Sequence, residues 1–152
     1  VRSSAASDVY KRQISSIWNI ISKNCKMKKV MFDSEQYPDF TYENNGVGTV
    51  KVQVSAANQA FPLEGIEIEI SKEINGDEVV FFTGKTNSSG IIDDIYLPAK
   101  KGKKNIESAS DIIYTTYIIT ATNPKTDAIK KYDIAVFDGM KIIQPITFSP
   151  IN

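Results

Sequence analysis

The 152-residue chain has no histidine, a single cysteine (Cys25) and only two arginines, Arg2 and Arg12. Without an imidazole there is no Ser-His-Asp or Cys-His nucleophile, and the usual zinc sites lose their commonest ligand. A lone cysteine closes no internal disulfide, so it decides nothing about redox compartment. No apolar run is long enough to span a bilayer, and no membrane association is expected. An excess of either charge is missing too: 18 basic residues balance 18 acidic ones. That balance argues against nucleic acid as a partner. The one basic cluster, Lys100-Lys101-Gly102-Lys103-Lys104, reads as a solvated loop. For calcium, Asp93-Asp94 and Asp138-Gly139 offer oxygens, but neither has the dense acidic spacing of an EF-hand loop. In a strand, Asp93 and Asp94 would face opposite sides, which is poor geometry for joint acid–base work. These grounds assign no catalytic, cofactor-binding or metal-ligating residue. The expectation is a chain that is not an enzyme and carries no cofactor.

Ordinary globular composition remains, at 41% hydrophobic and 24% charged residues. The length suits one domain. The first 45 residues read as a leader. Residues Ser3 to Gln13 resemble the in-frame translation of a widely used sequencing-library adaptor, so residues 1–13 are set aside from fold reasoning. Ile14, Ile17, Trp18 and Ile21 fall at helical spacing, so Ile14 to Lys26 is either a short helix or sequence upstream of a start at Met27 or Met31. Both arginines lie in this leader. Past Met27 the count is 13 basic against 17 acidic residues, a mildly acidic net charge of −4. Nothing near Met27 has the apolar length of a secretion signal, so the cytoplasm is the expected location, with spore or cell-surface association left open. Met31 to Asn45 mixes Tyr37-Pro38 with Asn44-Asn45-Gly46, turn chemistry without a period, and reads as an extended arm.

From Gly46 to Asn152 the pattern changes. Val50, Val52 and Val54 alternate with Lys51 and Gln53. Ile66, Ile68 and Ile70 alternate with Glu67 and Glu69, which puts three isoleucines on one strand face and scatters them around a helix. Asn75-Gly76 is a strong hairpin signal before Val79 to Thr83. Asn87 to Gly90 predicts a turn, Ile91 to Leu97 a strand stopped by Pro98, and Ala99 to Ser110 an exposed loop. Tyr114 to Thr122 reads as a central strand covered on both faces, followed by Tyr132 to Phe137 and Ile142 to Phe148. Pro145 demotes the last to an edge or a bulge. About seven strands with no convincing helix predict an all-β, antiparallel β-sandwich. Lys51, Glu67, Glu69 and Pro145 read as protection against edge pairing.

The run Gly48 to Val54, then Phe61-Pro62-Leu63-Glu64-Gly65-Ile66, then Thr86-Asn87-Ser88-Ser89-Gly90, resembles the carboxypeptidase regulatory-like (transthyretin-like) domains. Gly65 suits a tight turn and Gly90 a left-handed one. A narrower resemblance uses Leu97-Pro98-Ala99, Tyr114, Tyr117, Val136-Phe137-Asp138-Gly139, Gln144 and Ser149-Pro150. These look like the N-terminal region of clostridial spore cortex-lytic enzymes and related stand-alone proteins. Asn123-Pro124-Lys125 and Ile66 depart from that pattern. No lytic domain lies within these residues, so the resemblance brings no catalytic residue across.

Three functions follow as expectations. The first is an accessory module acting by contact with an unidentified protein partner, in a spore, cell-wall-lytic or phage-tail-like assembly. The second is an adhesin-type module with a Lys51–Asn152 isopeptide bond, although Tyr114 to Thr122 offers no carboxylate to shuttle its protons. The third binds glycan or peptidoglycan by stacking sugars on Tyr96, Tyr114, Tyr117 or Tyr132.

Overall fold

The structure, a computed structural model, describes residues 28–149 apart from 58, 104 and 106. The adaptor-like segment, the Ile14 to Lys26 helix, a start at Met27 and the Asn152 end of the isopeptide pair lie outside these residues.

Nine strands form two packed sheets among the described residues. They are β1 (Lys29–Met31), β2 (Gly46–Ala56), β3 (Phe61–Pro62), β4 (Glu67–Ile74), β5 (Asp77–Lys85), β6 (Ile91–Ala99), β7 (Thr115–Asn123), β8 (Ala128–Val136) and β9 (Lys141–Phe148). The first sheet, A, runs β1-β5-β4-β7-β8. In the second, B, β2 is central, with β6 and the two-residue β3 on one side and β9 on the other. The expected sandwich is therefore present, with seven long strands and two short ones.

Alternation explains the core. Ile68 and Ile70 of β4 meet Ile119 and Ala121 of β7 on one inner face. Val50, Val52 and Val54 meet Ile95, Leu97, Ile146 and Phe148 on the other. Each buried aliphatic side chain contributes about 1.5–3 kcal/mol relative to exposure, and sheets related this way pack face to face. The Asn75-Gly76 hairpin forms with φ of 53° and 81° at its two central residues, joining Ile74 to its partner Asp77. A two-residue turn of that handedness matches the twist of its strands.

Several expectations change. Two pairings are parallel, β1 with β5 and β2 with β9. Met31 to Asn45 is no extended arm: β1 joins the sheet, and a six-residue helix, α1 (Pro38–Glu43), places Phe40 in the core beside Tyr37. Pro38 is tolerated because the first helical position lacks an intrahelical N–H partner anyway. Phe32, Phe40, Phe81 and Tyr117 then form an aromatic cluster, with Phe32 and Phe81 stacked at 4.5 Å. The packed core thus begins well before Gly46. Pro98 does not stop β6, which runs to Ala99; β6 is an edge strand, where a missing N–H is tolerated. β7 is central, but only its alternate residues are buried, with Thr116 and Ile118 exposed. Lys51, Glu67 and Glu69 lie on central strands β2 and β4 and so guard no edge. Pro145 does sit on an edge strand, β9.

Candidate functional site

The motifs that carry the family resemblance act as clips within the sandwich. Thr86, buried at the end of β5, donates its hydroxyl proton to the Leu63 carbonyl at 2.6 Å and accepts the Ile66 N–H at 3.0 Å. Its backbone ties to Gly65 and Ile66 as well. Asn87 Oδ1 accepts the N–H groups of Ser89 and Ile91, closing the following turn. Gly90 has φ of 73°, and a Cβ there would stand 2.3 Å from the Val54 carbonyl oxygen. Both features require glycine. Gly65 also has positive φ, as the tight turn demands.

The narrower motif holds the other end together. Tyr117 donates its hydroxyl to the Pro98 carbonyl, and burial pushes its phenol pKa up. Tyr114 packs on Phe137 with ring centroids 5.6 Å apart. Asp138 accepts the N–H groups of Val47 and Gly102, and these bonds hold its carboxyl below the usual range.

Those contacts show where the structure places most of the candidates from the sequence. Asp138 is a loop clip. Asp93 pairs with Lys141 at 2.8 Å and caps the Asp94 N–H. No cluster of three potential metal ligands exists among the described residues. Lys51 sits half-buried on the outer face of sheet B rather than inside the core, the wrong setting for an isopeptide bond. Tyr117 is buried and cannot stack a sugar, and Tyr132 is partly buried against the core. Tyr114 and Tyr96 remain exposed, at 47% and 66%.

Two surfaces stand out. On the outer face of sheet B, cross-strand partners place Val47 beside Pro98, Thr49 between Tyr96 and Lys141, and Lys51 beside Ile143. Val47 and Ile143 are 52% and 56% exposed, so with Tyr96 they make an apolar stripe threaded by charges.

The second surface is a groove of about 480 Å³ whose lining includes Phe40, Lys72, Lys100, Ile112, Tyr114 and Thr115. Pairing between β4 and β7 ends at Ser71 and Ile118, and Lys72 follows at once. A bulge between Ile70 and Ser71 shifts the phase of β4 against β5 just before it. The Lys72 ammonium donates to the Thr116 carbonyl at 2.8 Å and lies 5.8 Å from the Tyr117 ring centroid. Burial, seconded by the charge of Lys100, lowers its pKa. Below the groove Thr115 donates to Asn44 and accepts the Lys100 N–H. Sequence reasoning passed over Lys72; a lysine after Ser71 gives no signal of where the strands part.

No protein-family model matches the chain. No curated protein sequence matches it either. Among solved structures, similar ones include 5-hydroxyisourate hydrolase of Klebsiella pneumoniae, at 15% identity and TM-score 0.45, covering 68% of this chain and 90% of that one. Another is transthyretin from Sparus aurata, at 11% identity and TM-score 0.40, covering 65% and 90%. A third is (S)-allantoin synthase, at 12% identity and TM-score 0.45, covering 71% of this chain and 42% of that one. These are likenesses of fold alone. Of the expectation from the sequence, the β-sandwich stands on the two packed sheets themselves, and the transthyretin-like part is a likeness to these structures. The expectation that the chain is no enzyme is corrected: two of these three similar structures are of enzymes, a likeness that assigns no activity to this chain. The missing histidine limits which chemistry such a sandwich could host, and goes no further.

Proposed function

We propose that the chain is a protein-contact module that docks a partner on the outer face of sheet B, within a spore, cell-wall-lytic or phage-tail-like assembly. The observation that carries this reading is the stripe of Val47, Tyr96 and Ile143, each more than half exposed, on adjoining strands of one sheet. Large apolar side chains grouped on a rigid sheet face are the usual core of a recognition surface, with charges at the rim. Lys51 lies among them, while Lys141 is already paired with Asp93. The matching partner surface is therefore apolar, with a carboxylate opposite Lys51. The assembly itself rests on the resemblance of Leu97 to Ala99 and Val136 to Gly139 to the region that accompanies spore cortex-lytic enzymes.

A second reading, glycan binding, is favoured by one observation: Tyr96 is a widely exposed ring beside a polar ion pair. One experiment separates the two. Tyr96→Lys with Ile143→Lys removes the stripe from exposed positions, and such surface changes leave stability within about 0.5 kcal/mol. Under the first reading, this variant loses its partner from co-purification in the producing cells while the wild type retains it, and neither binds isolated peptidoglycan. Peptidoglycan binding by the wild type that Tyr96→Lys abolishes would favour the second. Unchanged partner capture by the double variant sinks the sheet-face reading.

A further inference from the structure

We propose that the groove where β4 and β7 part binds a small organic carboxylate, with its charge on Lys72 and Lys100 and its apolar tail along Phe40, Ile112 and Tyr114. This site is separate from the sheet B face and does not rest on it.

Two ammonium groups line one groove and feel each other's charge. Lys72 is half-buried, yet no carboxylate among the described residues lies within 4.0 Å of its nitrogen. Its hydrogen-bond partners are neutral, the Thr116 carbonyl and, at 3.4 Å, the Thr116 hydroxyl. An ammonium has three donors, so capacity remains for an incoming acceptor. Glu43 also lines the groove but forms no ion pair with either lysine. Glu73 and Asp133 line the adjoining groove on another side of Lys72, likewise without an ion pair to it. Neighbouring like charges in a partly dehydrated site repel each other, and an anion between them reverses the sign of that interaction.

Shape and lining narrow the ligand. A volume of about 480 Å³ lies within the range of small-molecule sites. Ile112 and Tyr114 are each about half exposed, and Phe40 reaches the groove from α1. A mixed lining that holds two cations together with Phe40, Ile112 and Tyr114 suits an amphipathic carboxylate better than a bare inorganic anion, which would leave those apolar side chains in water.

The test is a titration of ¹⁵N-labelled full-length protein with hexanoate, read from amide chemical shifts, with hexan-1-ol and inorganic phosphate as separate arms. Saturable shifts are expected at Lys100, Thr115 and Thr116, with Thr49 and Lys51 on the sheet face unmoved. Lys72→Gln should weaken hexanoate about tenfold, the equivalent of 1.4 kcal/mol. Lys100→Gln, at an exposed position that leaves the fold intact, should weaken it severalfold and decides the matter if Lys72→Gln proves unstable. Hexan-1-ol and phosphate should each bind far more weakly than hexanoate. The proposal is overturned if hexanoate gives no saturable shift, if hexan-1-ol or phosphate binds as well, or if the folded lysine variants bind hexanoate like the wild type.

Discussion

Replacing Thr86 with valine keeps the shape of the side chain and removes only the hydroxyl. That hydroxyl serves two backbone groups at once, the part-buried Leu63 carbonyl at 2.6 Å and the buried Ile66 N–H at 3.0 Å. Thr86 itself is 4% exposed, so water cannot readily take its place. A buried polar group left without a partner costs about 1–3 kcal/mol. Two such groups, allowing for relaxation, give a loss of about 2–4 kcal/mol. Thr86→Ser keeps the hydroxyl and deletes one methyl group, for a loss of about 1 kcal/mol. Urea denaturation followed by far-ultraviolet circular dichroism would measure both variants against the wild type. A Thr86→Val variant within 0.5 kcal/mol of the wild type, or less stable by no more than Thr86→Ser, would refute the clip that joins β5 to the entry of β4.

Further outcomes follow from the other end of the sandwich. Asp138 has its pKa depressed by the Val47 and Gly102 N–H groups, so its contribution is present above the ordinary carboxylate range and lost as pH falls through its folded value. Stability should therefore drop on acidification below about pH 4, and Asp138→Asn should flatten that part of the curve in pH-dependent urea melts. Tyr117→Phe strands the Pro98 carbonyl and should cost about 1–3 kcal/mol in the same assay. In a spectrophotometric titration of the folded wild type, Tyr117 and Tyr37 should ionise later than the exposed tyrosines, because burial raises both; the Phe variant should lose the Tyr117 share of that late step and keep that of Tyr37.

What could be read from the chain was local. The Ile66-Ile68-Ile70 alternation became an inward-facing run with exposures of 2%, 1% and 0%. Asn75-Gly76 became a tight hairpin, and Gly65 and Gly90 took positive φ. Each of these depends on neighbours a few residues away. The parallel neighbour of β2 depends instead on a strand some ninety residues later, β9, and no alternation pattern names a partner. α1 was illegible for a related reason: Phe40 is buried only because Phe32 and Phe81 bring their rings to it, 5.7 and 5.5 Å away between centroids. Lys72 has no motif of its own in the sequence. Its setting comes from the end of the β4–β7 ladder and the bulge before it, and neither is written at its own position. Tyr96 was named as one of four equivalent tyrosines; only the fold separated it from the buried Tyr117.

The central claim, a partner docked on the sheet B face, is tested most directly by site-specific photo-crosslinking in the producing cells. A photoreactive side chain at Tyr96 would be compared with one at Lys131, which is exposed on edge strand β8 of the opposite sheet. The account predicts a discrete crosslinked protein of a spore, cell-wall-lytic or phage-tail-like assembly from position 96 and none above background from position 131. Crosslinks of equal yield from both positions, or from neither, would contradict it.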